Sequence, residues 1–214
     1  MGFEFDLTQT DHLLSTTRAV RKRLDLTRPV PRELILECLN LAIQAPTGGN
    51  TQRWRWVVVD DPEKKAALAE LYRAGWKPYL DAAKQARADQ GLDPETRVSD
   101  SADHLADHFH EVPAMLVPCL LDRGDGAGYW GSIVPAIWSF MLAARSRGLG
   151  TAYTTIHLFA EAQAAEVLGI PETVSQAALI PIAYYTGDDF KPAKRRPVEE
   201  ITYWNTWRQT DPGA

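Results

Sequence analysis

Hydrophobic and polar positions alternate at helical spacing in several separate stretches of the chain. Residues 32–45 place apolar side chains three or four positions apart, which predicts an amphipathic helix that ends at Pro46. Residues 62–75 and 78–90 predict two more helices, the second of them polar. Residues 132–147 form the most hydrophobic stretch, and the helix predicted there should be buried on nearly all sides.

Continuous apolar runs lie between these helices and predict buried strands. They are WRWVVVDD at 54–61, AMLVPCLL at 114–121 and QAALIPIAYYTG at 176–187, with TAYTT at 151–155 as a shorter strand. Helices and strands mix along the chain, and long helices separate the strands. This order favours a single α/β or α+β domain.

The composition of the 214 residues limits the classes of protein to consider. Acidic residues outnumber basic ones 28 to 23, and the net charge of −5 argues against a general nucleic-acid binder. The longest apolar run, 112–121, is too short to span a membrane, and the N-terminus lacks the pattern of a secretory signal. Cys38 and Cys119 predict two buried, reduced thiols. We therefore expect a cytoplasmic protein with no membrane or nucleic-acid partner.

Two motifs share the spacing of known sites but fit them poorly. GAGYWG at 126–131 has the glycines of a dinucleotide-binding turn, yet four residues separate it from the strand, and bulky Tyr129 and Trp130 occupy it. We interpret it as a flexible glycine loop. His104 and His108 stand four residues apart with Asp107 and His110 nearby, but the H-E-x-x-H pattern is absent and no Cys cluster supplies further ligands, so we predict a polar helix face and no metal site.

Two small basic clusters stand out in this acidic chain. The first places four cations in the six positions 18–23, and the second lies near the other end, at 191–196. Each cluster alone fits a solvated loop. Because a guanidinium group matches two oxygens of a phosphate, one compact phosphate held by both clusters would also explain them.

Four ordered blocks of the sequence resemble the nitroreductase family of FMN-dependent oxidoreductases. In the first block, RAVRKRLD, Arg18 and Lys22 match basic positions of the family pattern. The other blocks are APTGGNTQRW at 45–54, AARSRGLGTAYTT at 143–155 and KRRPVEEIT at 194–202. Because the blocks keep the family order over most of the chain, the resemblance is specific.

The chain departs from the family pattern in three places. Ala19 and Val20 stand where the family often has Arg and Ser, so a hydroxyl contact to the phosphate is lost. Arg53 replaces the usual proline. Residues 75–110 match no part of the pattern, and since this region of the family helps to cover the active site, the identity of the substrate stays open.

The resemblance implies an α+β fold, a three-layer α/β/α sandwich whose mostly antiparallel central sheet is flanked by helices, in an intertwined dimer. Residues 1–214 would form a single FMN-binding domain. Residues 75–110 would be a variable cover region, and residues 188–214 a C-terminal extension that wraps the partner subunit. The protein would be a homodimer with two FMN sites at its interface.

The resemblance also implies which residues hold FMN. Cations of the first and last blocks would bind it, backbone groups of the third block would reach the flavin N5 edge, and the second block would reach the flavin of the partner subunit. The implied cofactor-binding residues are Arg18, Ala19, Val20, Lys22, Pro46, Thr47, Gly48, Asn50, Tyr153, Thr154, Thr155, Ile156, Lys194, Arg195 and Arg196, with Thr154, Thr155 and Ile156 near N5. No catalytic side chain is expected, because the flavin carries the hydride.

The implied function is transfer of a hydride from NADH or NADPH through flavin N5 to a small-molecule acceptor. A nitroaromatic, a quinone or an enone would accept it, by a ping-pong mechanism. One alternative is a non-catalytic FMN-binding protein for storage or sensing. A second alternative is another activity of the family, such as reductive dehalogenation.

Overall fold

The computed structural model describes residues 4–94 and 96–209, which belong to two compact units. One unit combines the residues up to 16 with those from 189 onward, and the other holds residues 17–188. The smaller unit therefore brings together the two ends of the chain. The single domain and the wrapping of a partner by residues 188–214 stay predictions.

Seven α-helices form within the described residues. They are α1 (Leu7–Thr16), α2 (Arg32–Ala42), α3 (Pro62–Asp89), α4 (Arg97–His108), α5 (Ala127–Trp130), α6 (Val134–Ser146) and α7 (Glu161–Leu168). Short 3₁₀ turns add Gly48–Asn50, Phe109–Glu111, Ile156–Ala160 and Val198–Ile201. Helix α1 and the last of these turns belong to the smaller unit.

The larger unit contains one sheet of five strands. They are β1 (Trp54–Val59), β2 (Ala114–Leu120), β3 (Leu149–Thr151), β4 (Ser175–Gln176) and β5 (Ile180–Tyr184). The order across the sheet is β1-β2-β5-β3, and β4 pairs with β2. Within the described residues these strands pair antiparallel, with Trp54 opposite Leu120 and Thr151 opposite Ile182. The predicted combination of helices with an antiparallel sheet is confirmed.

The main core of the larger unit lies between the sheet, α2 and α6. Every residue of β2 is buried, and α2 packs directly against α6. Cys38 and Cys119 are buried free thiols, as predicted. Helix α6 is less enclosed than predicted: Phe140 is fully buried, but Trp138 is 42% exposed. The core covers one face of this helix and leaves another face apolar and open.

Helix α3 replaces the two helices predicted for 62–75 and 78–90. Pro78 lies inside it, yet the helix continues for 28 residues. Proline removes one backbone hydrogen bond and normally ends or kinks a helix. Helix α3 packs against α4, α7 and the Ile156–Ala160 turn, and this tertiary packing favours a continuous helix through the proline.

The strands that follow α6 differ from the predicted ones. Strand β3 occupies 149–151 rather than 151–155, and the segment 176–187 divides into β4 and β5. Leu179 lies in the break, where its N–H donates to the carbonyl of Thr154 at 2.9 Å. This pairing holds the segment that follows β3 against the edge of the sheet.

Among residues 4–94 and 96–209, one helical stretch, Ala127–Ser146, could cross a membrane by length and composition alone. A buried helix of a protein core meets the same criterion. Six residues of α6, which forms most of this stretch, are buried inside the larger unit. The stretch is therefore weak grounds for a membrane span.

Candidate functional site

A cavity of about 440 Å³ opens along one face of α3 in the larger unit. Tyr72, Trp76 and Tyr79 recur on this face at helical spacing, and Tyr153 and Phe159 line the opposite wall. The beginning of α4 completes the lining. A cavity that combines several aromatic side chains with cationic and hydroxyl groups is suited to a planar organic molecule with a polar edge.

The wall opposite α3 contains a segment that the family resemblance assigns to the flavin. Tyr153, Thr154, Thr155 and Ile156 all line the cavity. The Thr154 hydroxyl donates to the carbonyl of Leu179, and the Thr154 carbonyl accepts from the same residue, so the backbone is fixed at this point. The structure thus brings together four of the predicted cofactor-binding residues along one cavity wall.

Arg21 places a cation in the same cavity. Its side chain is half-buried, and no hydrogen bond or ion pair holds the guanidinium within the described residues. Burial lowers the pKa of Arg21, and the nearby Tyr72 acts in the opposite direction. A buried cation without a compensating anion is costly, so this position favours a bound anion.

The chain around Arg21 is held against β3. The Val20 N–H donates to the carbonyl of Thr151 at 2.8 Å, and Ala19 forms an isolated bridge to the same residue. Val20 is buried against Gly150, where a Cβ atom would lie only 3.0 Å from it. Because neighbouring side chains of an extended segment point in opposite directions, Val20 enters the core while Arg21 reaches the cavity.

Arg21 is not among the cations that the family resemblance assigns to FMN, and the two assigned cations nearest to it in sequence do not line this cavity. Lys22 forms an ion pair with Asp100 at 2.6 Å, and Arg18 is exposed; neither lines the cavity. Lys194, Arg195 and Arg196 belong to the smaller unit, where they are exposed in a segment without regular structure. Their predicted contacts with FMN stay predictions.

The loop Pro46–Asn50 forms part of a different pocket. This pocket of about 270 Å³ is lined by Gly48, Arg53 and Tyr129 among others, and the Gly48 N–H donates to the Ser132 hydroxyl at 3.4 Å. The loop does not line the larger cavity. Its predicted contact with the flavin of a partner subunit stays a prediction.

The glycine motif at 126–131 adopts a form unlike a dinucleotide-binding turn. Gly126 has a φ of +84°, a left-handed conformation that glycine adopts without strain, and it leads into the single helical turn α5. A helix of four residues presents little of the aligned backbone that a pyrophosphate needs. His104 and His108, the other doubtful motif, stack at 4.4 Å on α4, and His108 bonds to Glu111 at 2.7 Å.

Sequence reasoning missed the residues that α3 contributes to the cavity. Burial raises the pKa of Tyr72 to about 12, and Arg21 opposes this shift, so the phenol is neutral near pH 7 and can donate a hydrogen bond. The Trp76 indole N–H donates to Asp103 at 2.6 Å, which joins α3 to α4 at the cavity. The helical spacing of the aromatic residues at 72, 76 and 79 could have indicated a shared helix face. It was not used because residues 75–110 match no block of the family pattern.

Comparison with known proteins identifies the family to which the chain belongs. The sequence profile of the nitroreductase family matches residues 14–184, and the chain belongs to this family. Three individual proteins illustrate the range of its relatives.

The first relative is 5,6-dimethylbenzimidazole synthase of Rhodospirillum rubrum, 31% identical over 138 residues. This alignment covers 60% of the chain and 61% of that protein, less than two thirds of its length. An iodotyrosine deiodinase of Thermotoga neapolitana is 27% identical over 195 residues, 91% of this chain and 97% of that protein. The solved structure of the FMN-dependent nitroreductase NfnB from Mycobacterium smegmatis in complex with NADPH superposes with a TM-score of 0.70 at 20% identity, covering 94% and 100% of the two chains. The last match supports the fold.

Proposed function

We propose that the protein is an FMN-dependent oxidoreductase that transfers a hydride from NADH or NADPH to a small aromatic or conjugated acceptor by a ping-pong mechanism. The carrying observation is Arg21, a half-buried cation without an ionic partner that faces an aromatic cavity. Membership of the nitroreductase family and the FMN and NADPH named for the NfnB structure support this proposal. A nitroaromatic, a quinone or an enone would be the acceptor.

The residues around the cavity fit a flavin. Flavin is planar, polar along one edge and anionic when reduced; the cavity offers aromatic walls, backbone groups at Thr154–Ile156 and the charge of Arg21. When bound, FMN supplies the N5 atom that accepts and releases the hydride. The chain contributes the rest: Arg21 stabilises negative charge, the Tyr72 phenol donates a hydrogen bond, and the aromatic side chains exclude water.

The test is a titration of the purified protein with FMN. We expect binding with the visible spectrum of oxidised flavin, bleaching by NADPH under anaerobic conditions, and recovery of colour when a nitroaromatic or quinone is added. Arg21→Met should weaken FMN binding about 10- to 100-fold, the usual effect of losing a hydrogen bond to a charged group. Arg32→Met, which removes an exposed cation paired with Asp60, is the matched control and should bind normally. A wild-type protein that takes up no FMN would refute the proposal.

Bleaching by NADPH also separates the enzyme from a storage or sensor protein. A storage protein would hold FMN without rapid reduction. Reductive dehalogenation is a second candidate because the iodotyrosine deiodinase aligns over 91% of the chain, and the aromatic walls of the cavity suit a phenol ring. The rate at which 3-iodotyrosine and 4-nitrobenzoate reoxidise the reduced protein would decide between the two acceptors.

We also propose that the protein works as a homodimer with two FMN sites at its interface, in the cytoplasm. Two apolar surfaces support the dimer: Leu36 on α2 and Ile43 directly after it are exposed, as are Val134 and Trp138 on α6. The predicted contribution of residues 46–50 to the partner's flavin is consistent with their absence from the lining of the larger cavity. Two buried free thiols fit a reducing compartment.

A further inference from the structure

His157 lies directly behind the cavity wall and is fully buried. Neither ring nitrogen has a hydrogen-bond partner within the described residues, and the side-chain oxygen of Gln176, also buried, has none. Unpartnered polar atoms are rare in protein interiors because each one costs about 1–3 kcal/mol. Two buried side chains with unpartnered polar atoms, His157 and Gln176, therefore indicate a polar interaction with a structural role in this part of the protein.

Gln176, which acts on the pKa of His157, belongs to a firmly held network. Its side-chain amide N–H donates to the Glu161 carbonyl at 2.9 Å, and its backbone N–H donates to the Glu161 carboxylate at 3.0 Å. Arg123 donates to both carboxylate oxygens of Glu161 at 3.0 Å. Arg123 also donates to backbone carbonyls of the turn before β4. The Gln176 amide is thus oriented with its nitrogen already committed, and its oxygen remains available for His157.

His157 sits in the turn that builds the cavity wall. Ile156 and Phe159, on either side of it, line the cavity, whereas His157 does not. The turn also packs against α3, where Gly75 leaves room for Ile156: a Cβ atom at Gly75 would lie 3.1 Å from it. The conformation of this turn therefore depends on two sets of contacts: apolar packing against α3 on the cavity side and polar groups around His157 on the buried side.

We propose that His157 is a positioning residue: its ring N–H is matched to the unpartnered side-chain oxygen of Gln176, and a hydrogen bond closed between these two buried groups would fix the wall 153–159 in the conformation that binds the cofactor. This inference rests on the proposed function, because the wall is assigned to FMN. A neutral imidazole has one N–H donor, which matches the one free acceptor of Gln176. Burial lowers the pKa of His157 to about 4, with Glu161 and Gln176 acting in the opposite direction, so the ring is neutral near pH 7.

The experiment measures amide hydrogen exchange and FMN affinity in His157→Phe, Gln176→Leu and His157→Gln. Residues 154–160 should exchange about tenfold faster in the first two variants, and FMN should bind about tenfold more weakly, which equals a change of about 1.4 kcal/mol. His157→Gln keeps a donor of similar reach and should restore most of both properties. The double variant His157→Phe/Gln176→Leu should be no worse than either single variant, since both remove one interaction.

Ile35→Val, a core change in α2 that does not line the cavity, serves as the control and should leave exchange at 154–160 and FMN affinity unchanged. If His157→Phe does not fold, Gln176→Leu carries the test. Unchanged exchange at 154–160 in folded variants, or additive effects in the double variant, would overturn the proposal. Exchange is measured on the protein without FMN as well, so a protein that binds no FMN refutes the proposed function while the exchange result still decides the role of His157.

Discussion

Arg21 differs from its cationic neighbours Lys22 and Arg23 in the contacts of its side chain. Arg23 donates to the Thr186 carbonyl at 2.6 Å, and Lys22 pairs with Asp100, so both are held by the protein itself. Arg21 has no such partner within the described residues and lines the cavity. The family resemblance predicted an anion site in this segment and assigned it to Arg18 and Lys22. That Arg21 lines the cavity depends on the pairing of Val20 with β3, which the sequence does not reveal.

The isolation of Arg21 predicts opposite effects on stability and binding. Arg21→Met keeps the aliphatic stem and removes a half-buried charge, so the protein without FMN should become more stable by about 1 kcal/mol. The melting temperature should rise by about 2–4 °C for a chain of this size. Thermal unfolding with and without saturating FMN measures both effects. A melting temperature that falls without FMN would show that Arg21 is compensated within the protein.

His157 predicts a loss of stability in mild acid. Its pKa is about 4 when folded and 6.5 as an ordinary value, so the unfolded chain binds more protons between these pH values. Stability therefore rises with pH in this window and falls as the pH drops from 6.5 toward 4. Between pH 6.5 and pH 5 the wild type should lose about 2 kcal/mol of unfolding free energy through this residue.

Urea unfolding of the wild type and His157→Gln at pH 7, 6 and 5 tests the acid effect. The difference between the two proteins should change over this range, because glutamine does not titrate. Glu161 also faces His157; burial raises its pKa, but the Arg123 guanidinium and the Gln176 N–H outweigh this and hold the pKa below its usual value, so Glu161 titrates in stronger acid. A difference that stays constant from pH 7 to pH 5 would contradict the assignment.

At the scale of elements, hydrophobic spacing identified α2 and α6 of the main core but placed some helix ends wrongly. It also missed α5, whose Tyr129 and Trp130 pack against that core in a stretch interpreted as a loop. The polar face of residues 78–90 and the proline at 78 suggested two helices, whereas packing along α3 makes one. Residues 176–187 looked like one strand because an almost unbroken apolar run, 177–185, occupies most of the stretch. Their division depends on the hydrogen bond of Leu179 to Thr154, a contact 25 residues apart that local pattern does not reveal.

Gly75 offers a test of the contact between α3 and the cavity wall. A Cβ atom at this position would lie 3.1 Å from both the side chain and the carbonyl oxygen of Ile156. Gly75→Val should therefore destabilise the protein by about 1–3 kcal/mol despite the poor helix propensity of glycine. Ala74→Val, at an exposed neighbouring position of α3, is the control and should cost no more than about 0.7 kcal/mol.

Denaturant unfolding measures both variants of α3, and FMN titration shows whether the wall has moved. If Gly75→Val were as stable as the wild type, the turn would have room to shift, and its predicted role in holding the cofactor would need another explanation.

The cavity itself could not be predicted from the sequence. Its walls come from α3, α4 and the segment after β3, which are far apart in the chain and meet only through tertiary packing.

For the whole molecule, the apolar surface of the larger unit predicts self-association. Leu36 is 57% exposed on α2 and Trp138 is 42% exposed on α6, and these two helices pack against each other. When exposed apolar side chains on adjacent helices form one contiguous patch, that patch indicates an interaction surface. A two-fold dimer would bury the same face on both copies. Within the smaller unit, Trp204 and Trp207 are exposed as well, as the predicted wrapping of a partner requires.

Trp138→Glu tests the dimer more cleanly than a charge at Ile137, which is fully buried and would disrupt the core of the monomer. We expect the wild type to be a dimer at low micromolar concentration by light scattering, and Trp138→Glu to be a folded monomer with an unchanged circular dichroism spectrum. Because the proposed FMN site needs residues 46–50 of the partner, the variant should also lose FMN affinity by about tenfold or more, at least about 1.4 kcal/mol. Tyr79→Glu, an exposed aromatic position on α3, would alter the cavity but leave the dimer intact. A monomeric Trp138→Glu that binds FMN as tightly as the wild type would show that each chain forms its cofactor site alone.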